Sequence, residues 1–294
     1  MRTNRPFLIR SLTSQGLAAA VSICFIVSNA IADKTEPGLY FSQSVGASWD
    51  PLGVILDSRL FYRNSLVNKN GILWESTKFD AGLQNEWTPA DNVISARVEM
   101  EPIAVFSLVC KAGFYNMYNA LGYGCFRLDS PNEAYGPQAQ KSMKPANARG
   151  YWVSAAPTLK AKVWRLILMN TTTINQLALN GSGYFLEVRS YLPHRTVDLD
   201  IINDTYLLAE CTPWLMAGLT HHYVYVKETS VVSQQVCAMG IVTPTAPRFK
   251  STYAALDVGT YLRDPLFARS LYLGCLVGAD FRIWNPASAK DAKK

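Results

Sequence analysis

Past residue 27 the sequence holds no apolar run long enough to cross a bilayer as a helix, so a closed sheet is its only route into a membrane. Histidine is scarce, with three residues, and the six cysteines show no metal-ligand spacing. The five cysteines beyond the leader are Cys110, Cys125, Cys211, Cys237 and Cys275. Their odd number argues against a disulfide framework, although Cys110 and Cys125 bracket the start of a long loop and are candidates to pair. No phosphate-binding glycine loop occurs, and no lysine and arginine cluster is interleaved with aromatics. No cofactor, no metal and no nucleic-acid partner is therefore expected. The formal charge of +6 falls to +3 once the arginines of the leader are discounted, too weak a bias to suggest a polyanionic partner.

That leader is the first positive feature. Arg2, Arg5 and Arg10 precede an apolar run over residues 16–27, and Ala30, Ile31 and Ala32 offer a small-residue cleavage point. The layout predicts a secretory signal peptide over 1–32, with the mature chain starting at Asp33; an uncleaved membrane anchor is the alternative. Cys24 follows Ile23 rather than a small residue, so it is not read as a lipidated cysteine.

The remaining segments alternate with a period of two, which is a strand's half-turn per residue. In residues 271–284, Leu271, Leu273, Cys275, Val277, Ala279, Phe281 and Ile283 share a face, opposed by Tyr272, Gly274, Leu276, Gly278, Asp280 and Arg282. Residues 54–66, 76–86 and 94–104 likewise sort their charges to one side, and the pattern returns more loosely after residue 150. An outward arginine or lysine near the bilayer midplane costs about 2–4 kcal/mol, so the charged faces must look inward. The expected fold is all-β, a transmembrane antiparallel up-and-down barrel of about ten strands, with eight to twelve open. The expected lumen carries Asp57, Arg59, Arg63, Lys78, Asp80, Arg97, Glu99, Glu101, Lys160, Lys162, Glu187, Arg189, Asp257, Asp280 and Arg282. Pro102 is expected at a bulge, a bend or a strand's exit from the bilayer.

Residues 33–50 are read as a periplasmic lead-in, 51–285 as the barrel with a long outer loop at 119–150, and 286–294 as a polar tail. The turns at 67–71 and 88–92 are expected outside and inside, respectively. Trp49, Trp87, Trp214 and Trp284 then fall at periplasmic ends and Trp74 and Trp152 at outer ends, giving two aromatic girdles with Trp164 as the exception.

These strands resemble those of the small outer-membrane β-barrel proteins of Gram-negative bacteria. The closing stretch is similar to the C-terminal signal that such barrels show to their assembly machinery, matched here by Gly278, Phe281 and Ile283. Leu276 departs from it where a polar residue is usual, and Trp284 is followed by a tail rather than by the end of the chain. The resemblance implies outer-membrane lipid, lipopolysaccharide and the barrel assembly machinery as partners and leaves the oligomeric state open.

Three functions remain in view: a structural or surface-interaction barrel with an ion-paired lumen, a narrow solute or ion channel, and a surface hydrolase at the outer rim. The last rests on His194, expected in an outer turn with Asp198 and Asp200 close by as an acid and base set; an exposed turn histidine is the plainer reading. A soluble secreted β protein is the rival to the membrane reading, and its strands would be about half as long as these.

Overall fold

The computed structural model describes residues 36–285, apart from 68–70, 72, 75, 121 and 245–251. In chain order the strands are β1 (Gly38–Trp49), β2 (Gly53–Ser65), β3 (Lys78–Trp87), β4 (Asp91–Ile103), β5 (Phe106–Met117), β6 (Phe126–Leu128), β7 (Ala148–Val163) and β8 (Leu166–Leu179). They continue with β9 (Tyr184–Leu186), β10 (Pro193–Arg195), β11 (Val197–Thr212), β12 (Leu215–Val226), β13 (Val231–Val242), β14 (Thr252–Arg263) and β15 (Leu271–Trp284). Twelve of them form one closed barrel; β6, β9 and β10 form a separate three-stranded sheet. Every barrel pairing is antiparallel, and closure comes from β1, whose Val45 stands opposite Leu56 of β2 on one side and Val277 of β15 on the other. Closure leaves no sheet edge.

The period-two pattern explains the strands. Along β4, Val93, Ser95, Arg97, Glu99 and Glu101 are buried inside while Ile94, Ala96, Val98 and Met100 face out. A one-residue slip would exchange the two sets, so burial pins the register. Outside, the wall is apolar: Leu83 is 61% exposed, Phe114 71% and Val277 60%.

Twelve strands replace the expected ten: β1, β5 and β8 are additional, and the expected strand carrying Glu187 and Arg189 is not part of the barrel. The stretch expected as a periplasmic lead-in at 33–50 contains β1, whose serines and glycines weaken the alternation. The segment expected at 94–104 is β4, and beyond a two-residue turn at Ala104 and Val105 the chain runs back as β5, where no strand was expected; Pro102 lies near the end of β4. The omissions of β1 and β5 have opposite effects on sidedness, while β8 and the discarded strand at Glu187 and Arg189 cancel. Missing β1 inverts the turns at 67–71 and 88–92; missing β5 restores the parity beyond it. The turn at 67–71 lies partly outside the described residues, and the expected signal peptide and tail lie wholly outside them.

One mouth of the barrel, the terminal mouth, therefore holds the start of β1, the end of β15 and tight turns at 104–105, 164–165 and 213–214. The other, the loop mouth, holds the connections 118–147, 180–196, 227–230 and 264–270. Trp49 and Trp87 end strands at the loop mouth, whereas Trp74, Trp214 and Trp284 belong to the terminal mouth. Trp164, expected within a strand, sits in a turn there with a positive φ of 53° and is highly exposed. Trp152 points inward, against Tyr115. All five cysteines in the described residues are free, so Cys110 and Cys125 do not pair; Cys110 faces out and Cys125 is buried.

Candidate functional site: the stoppered lumen

Most of the charges expected inside are buried there, and those of β2 to β4 pair along one wall. On β2 and β3, Arg63 donates to Asp80 through Nε at 2.9 Å and Nη2 at 2.7 Å. Lys78 meets Glu99 at 2.8 Å, and Arg97 of β4 pairs with the same Glu99. Arg59 lies 3.3 Å from Asp57, Lys160 3.1 Å from Glu101, and Lys111 2.7 Å from Glu86. Antiparallel register makes this lattice: Asp57 stands opposite Glu86, Arg63 opposite Asp80, and Asp80 opposite Glu99. Of the others, Asp257 is buried on β14, Asp280 is half-buried on β15, Lys162 pairs with Glu210 at 2.6 Å on the exposed rim, and Arg282 pairs with Glu36 at the terminal mouth.

The opposite wall is different in kind. Toward the terminal mouth, the inward faces of β8 and β11 to β15 carry a continuous apolar cluster that includes Ile167, Met169, Leu208, Met216, Ile241 and Leu276. Tyr253 lies in this cluster with its ring over Gly278, where a Cβ would come within 2.3 Å of the ring. Gly278 thus faces inward, whereas Phe281 and Ile283 face out. This inner apolar wall was not expected, because alternation between two apolar faces leaves little contrast to read.

At the loop mouth the connections pack against one another. Glu187 and Arg189, expected on a barrel strand, instead belong to a strap, residues 187–192, between β9 and β10. The strap is a compact turn: the Tyr191 backbone N–H donates to the Glu187 carbonyl at 2.8 Å, and the Glu187 carboxylate accepts backbone N–H groups from Arg189 at 2.9 Å and Ser190 at 2.5 Å. Tyr191 takes a positive φ of 56° and lays its ring against Phe267 of the 264–270 loop at 5.9 Å. Its hydroxyl accepts from Gln140, in the helical turn Pro137–Gln140 of the 118–147 loop. Beneath the strap, Phe185, Leu186 and Leu192 are fully buried.

Arg189 fastens this assembly to the wall. Its Nε donates to Asp91 Oδ2 at 2.5 Å, one terminal nitrogen to the Glu86 carboxylate, and the other to the Glu86 carbonyl at 3.3 Å. The guanidinium also lies 5.6 Å from the Tyr115 ring centroid and 5.2 Å from that of Trp152. Each wall group is itself held. Tyr115 donates to Glu187 at 2.5 Å, Trp152 donates to Asn175 at 3.2 Å, and Asp91 accepts from the Thr88 hydroxyl. Burial opposes the charge on Arg189, but the adjacent Asp91 and Glu86 carboxylates raise its pKa further, so it is a permanent cation.

The sequence candidates for acid and base chemistry occupy the same cap. His194, expected in an exposed turn, is fully buried on β10; its Nε2 lies 2.7 Å from Asp200 Oδ1 and its Nδ1 2.9 Å from the Leu192 carbonyl. Asp198 instead accepts backbone N–H groups from Arg195 at 2.8 Å and Glu228 at 3.0 Å, tying the cap to the turn after β12. With both ring nitrogens engaged and no exposed face, His194 holds the strap's exit. Burial works against its charge, yet the Asp200 carboxylate holds the imidazole pKa up at about 9. The folded value lies above the usual one, so this contribution is complete below about pH 6.5 and is lost as pH rises through about 9. The wild-type protein should therefore lose thermal stability between neutral and alkaline pH, and a His194→Gln variant should show a flatter profile. Equal profiles would refute the charged pair.

Some members of this site escaped sequence reading. Tyr115 and Asp91 sit at strand ends, where alternation gives no sign of a partner drawn from residue 189. The one available signal was the pair Thr88 and Asp91, a side-chain-capped turn.

No protein family and no curated protein sequence matches the chain. Among solved structures, the chain is similar to the translocator domain of autotransporter NalP from Neisseria meningitidis, with 11% identity over 91% of this chain and 97% of that one and a TM-score of 0.40. It is likewise similar to the NanC porin, at 7% identity over 83% of this chain and 100% of that one, TM-score 0.40. For an outer membrane channel from Pseudomonas putida F1 the values are 8% identity, 85% of this chain, 98% of that one and a TM-score of 0.44.

Proposed function

We propose that this chain is a Gram-negative outer-membrane β-barrel that stands closed, with its loop mouth outward, and that serves a structural or surface-interaction role. Four features support the membrane setting: the closed sheet, the apolar outer wall, the inward charges and the exposed indoles at both rims. An apolar surface of this extent is far larger than soluble proteins expose. The start of β1 and the end of β15 meet the terminal mouth and the longest connections meet the other, the arrangement of a barrel whose terminal strands open to the periplasm. The leader supports export, and outer-membrane lipid, lipopolysaccharide and the assembly machinery are the partners this reading requires.

The observation that carries the closed state is the Arg189 fastening, which draws a buried strap against the β3 and β4 wall. Acids and bases pair along one wall instead of segregating to opposite walls, so the lumen lacks the separated charges of an ion path. A narrow channel is the second reading, favoured by the fact that the strap's ion pairs to the β3 and β4 wall all run through Arg189. In planar bilayers the wild-type protein is expected to give no sustained conductance. Steady open-channel current at low voltage would overturn the closed reading in favour of the channel.

A further inference from the structure

Arg189 lies in a receptor that is more elaborate than a latch requires. Its Nε, Nη1 and Nη2 meet three separate acceptors, Asp91 Oδ2, a Glu86 carboxylate oxygen and the Glu86 carbonyl, which together trace the fork of a planar guanidinium. Two aromatic rings set 78° apart, with centroids 5.6 Å from each other, flank that plane. A compact ammonium would satisfy the carboxylates without using the three-point fork, and it is more strongly hydrated, so the geometry selects guanidinium. Three of the four receptor residues are held by the wall itself, independently of the strap. Asp91 is fixed by the Thr88 turn, Trp152 by Asn175, and Glu86 by Lys111 at 2.7 Å and Gln84 at 2.8 Å. With Arg189 gone, Glu86 keeps Lys111 as its ion-pair partner while Asp91 loses its own, and the pocket is left anionic.

We propose that Glu86, Asp91, Tyr115 and Trp152 form a binding site for small guanidinium cations, which Arg189 occupies in the closed barrel as a tethered stand-in for the ligand. The site opens toward the loop mouth once the strap lifts, so a guanidinium-bearing solute arriving from that side competes with the strap for the same three acceptors. This inference rests on the closed-barrel reading for the strap's role, but the affinity of the site does not depend on conduction.

The test uses the full-length protein refolded in detergent, with guanidinium chloride as the probe at low, non-denaturing concentration. Arg189→Ala should gain thermal stability saturably, with a dissociation constant on the order of 1 mM. Sodium chloride at equal ionic strength should not reproduce the gain, nor should guanidinium stabilise Arg189→Ala carrying Asp91→Asn as well. If Arg189→Ala refolds poorly, the readout is the refolded fraction, measured as the shift in gel mobility between unheated and heated samples; guanidinium should raise it and sodium should not. An equal response to sodium, or no response from either readout, overturns the site. Conductance of the wild-type protein would overturn the closed reading while leaving this binding result standing, so the two failures are separable.

Discussion

Arg189→Ala is expected to lower the unfolding free energy by about 3–5 kcal/mol, because it leaves the buried Glu86 and Asp91 carboxylates short of a countercharge. A smaller loss comes with it, since the cation also gives up two aromatic faces worth about 0.5–2 kcal/mol together. The damage should be local. The barrel strands retain their ladder, while the strap and the β6, β9 and β10 sheet loosen, so protease cleavage within 180–196 should accelerate much more than loss of the barrel's heat-resistant mobility. Denaturant unfolding in detergent and limited proteolysis measure the two parts. A variant as stable and as resistant as the wild type would show that the fastening is not what closes the mouth. Arg189→Lys should fall between the two, since it keeps the charge but loses the fork.

Leu83→Arg is the second large effect, and it tests the membrane directly. Leu83 lies mid-strand on β3, opposite Leu60 and Ala96, and its side chain faces out. In a bilayer an arginine there costs about 2–4 kcal/mol, whereas on a water-exposed surface the same change stays within about 0.5 kcal/mol. Folding into lipid vesicles, followed by the fraction that resists unfolding in urea, should fall sharply for this variant. The same substitution at Trp284, at the rim, should cost less because an arginine can reach the headgroups. Equal and negligible effects at both positions would remove the membrane from the account.

The readings that missed did so for identifiable reasons. β1 offers Ser42, Ser44, Gly46 and Ser48 on its inward face, small polar residues that give weaker contrast than the charges of β2 to β4. The turn at 104–105 contains neither glycine, asparagine nor aspartate, so nothing marks it as a hairpin. Glu187 and Arg189 satisfied the alternation rule and were assigned to a wall strand, yet they reach the lumen from a loop. Their spacing was informative about polarity and silent about connectivity. His194 followed the same course: its nearness to Asp198 and Asp200 in sequence was real, but burial turned a candidate base into a fastener.

What was legible before any fold was known is the local chemistry of the strands. Side-chain direction alternates with every residue, so a pattern of charges against aliphatics reports which face meets lipid and which meets the lumen, whatever the strand order. The stopper is a different kind of object. It depends on residue 189 reaching residues 86 and 91 across a closed cylinder, and on two rings, Tyr115 and Trp152, brought together from β5 and β7. Such meetings are set by closure and loop path, which couple residues about a hundred positions apart through no periodicity that the chain carries.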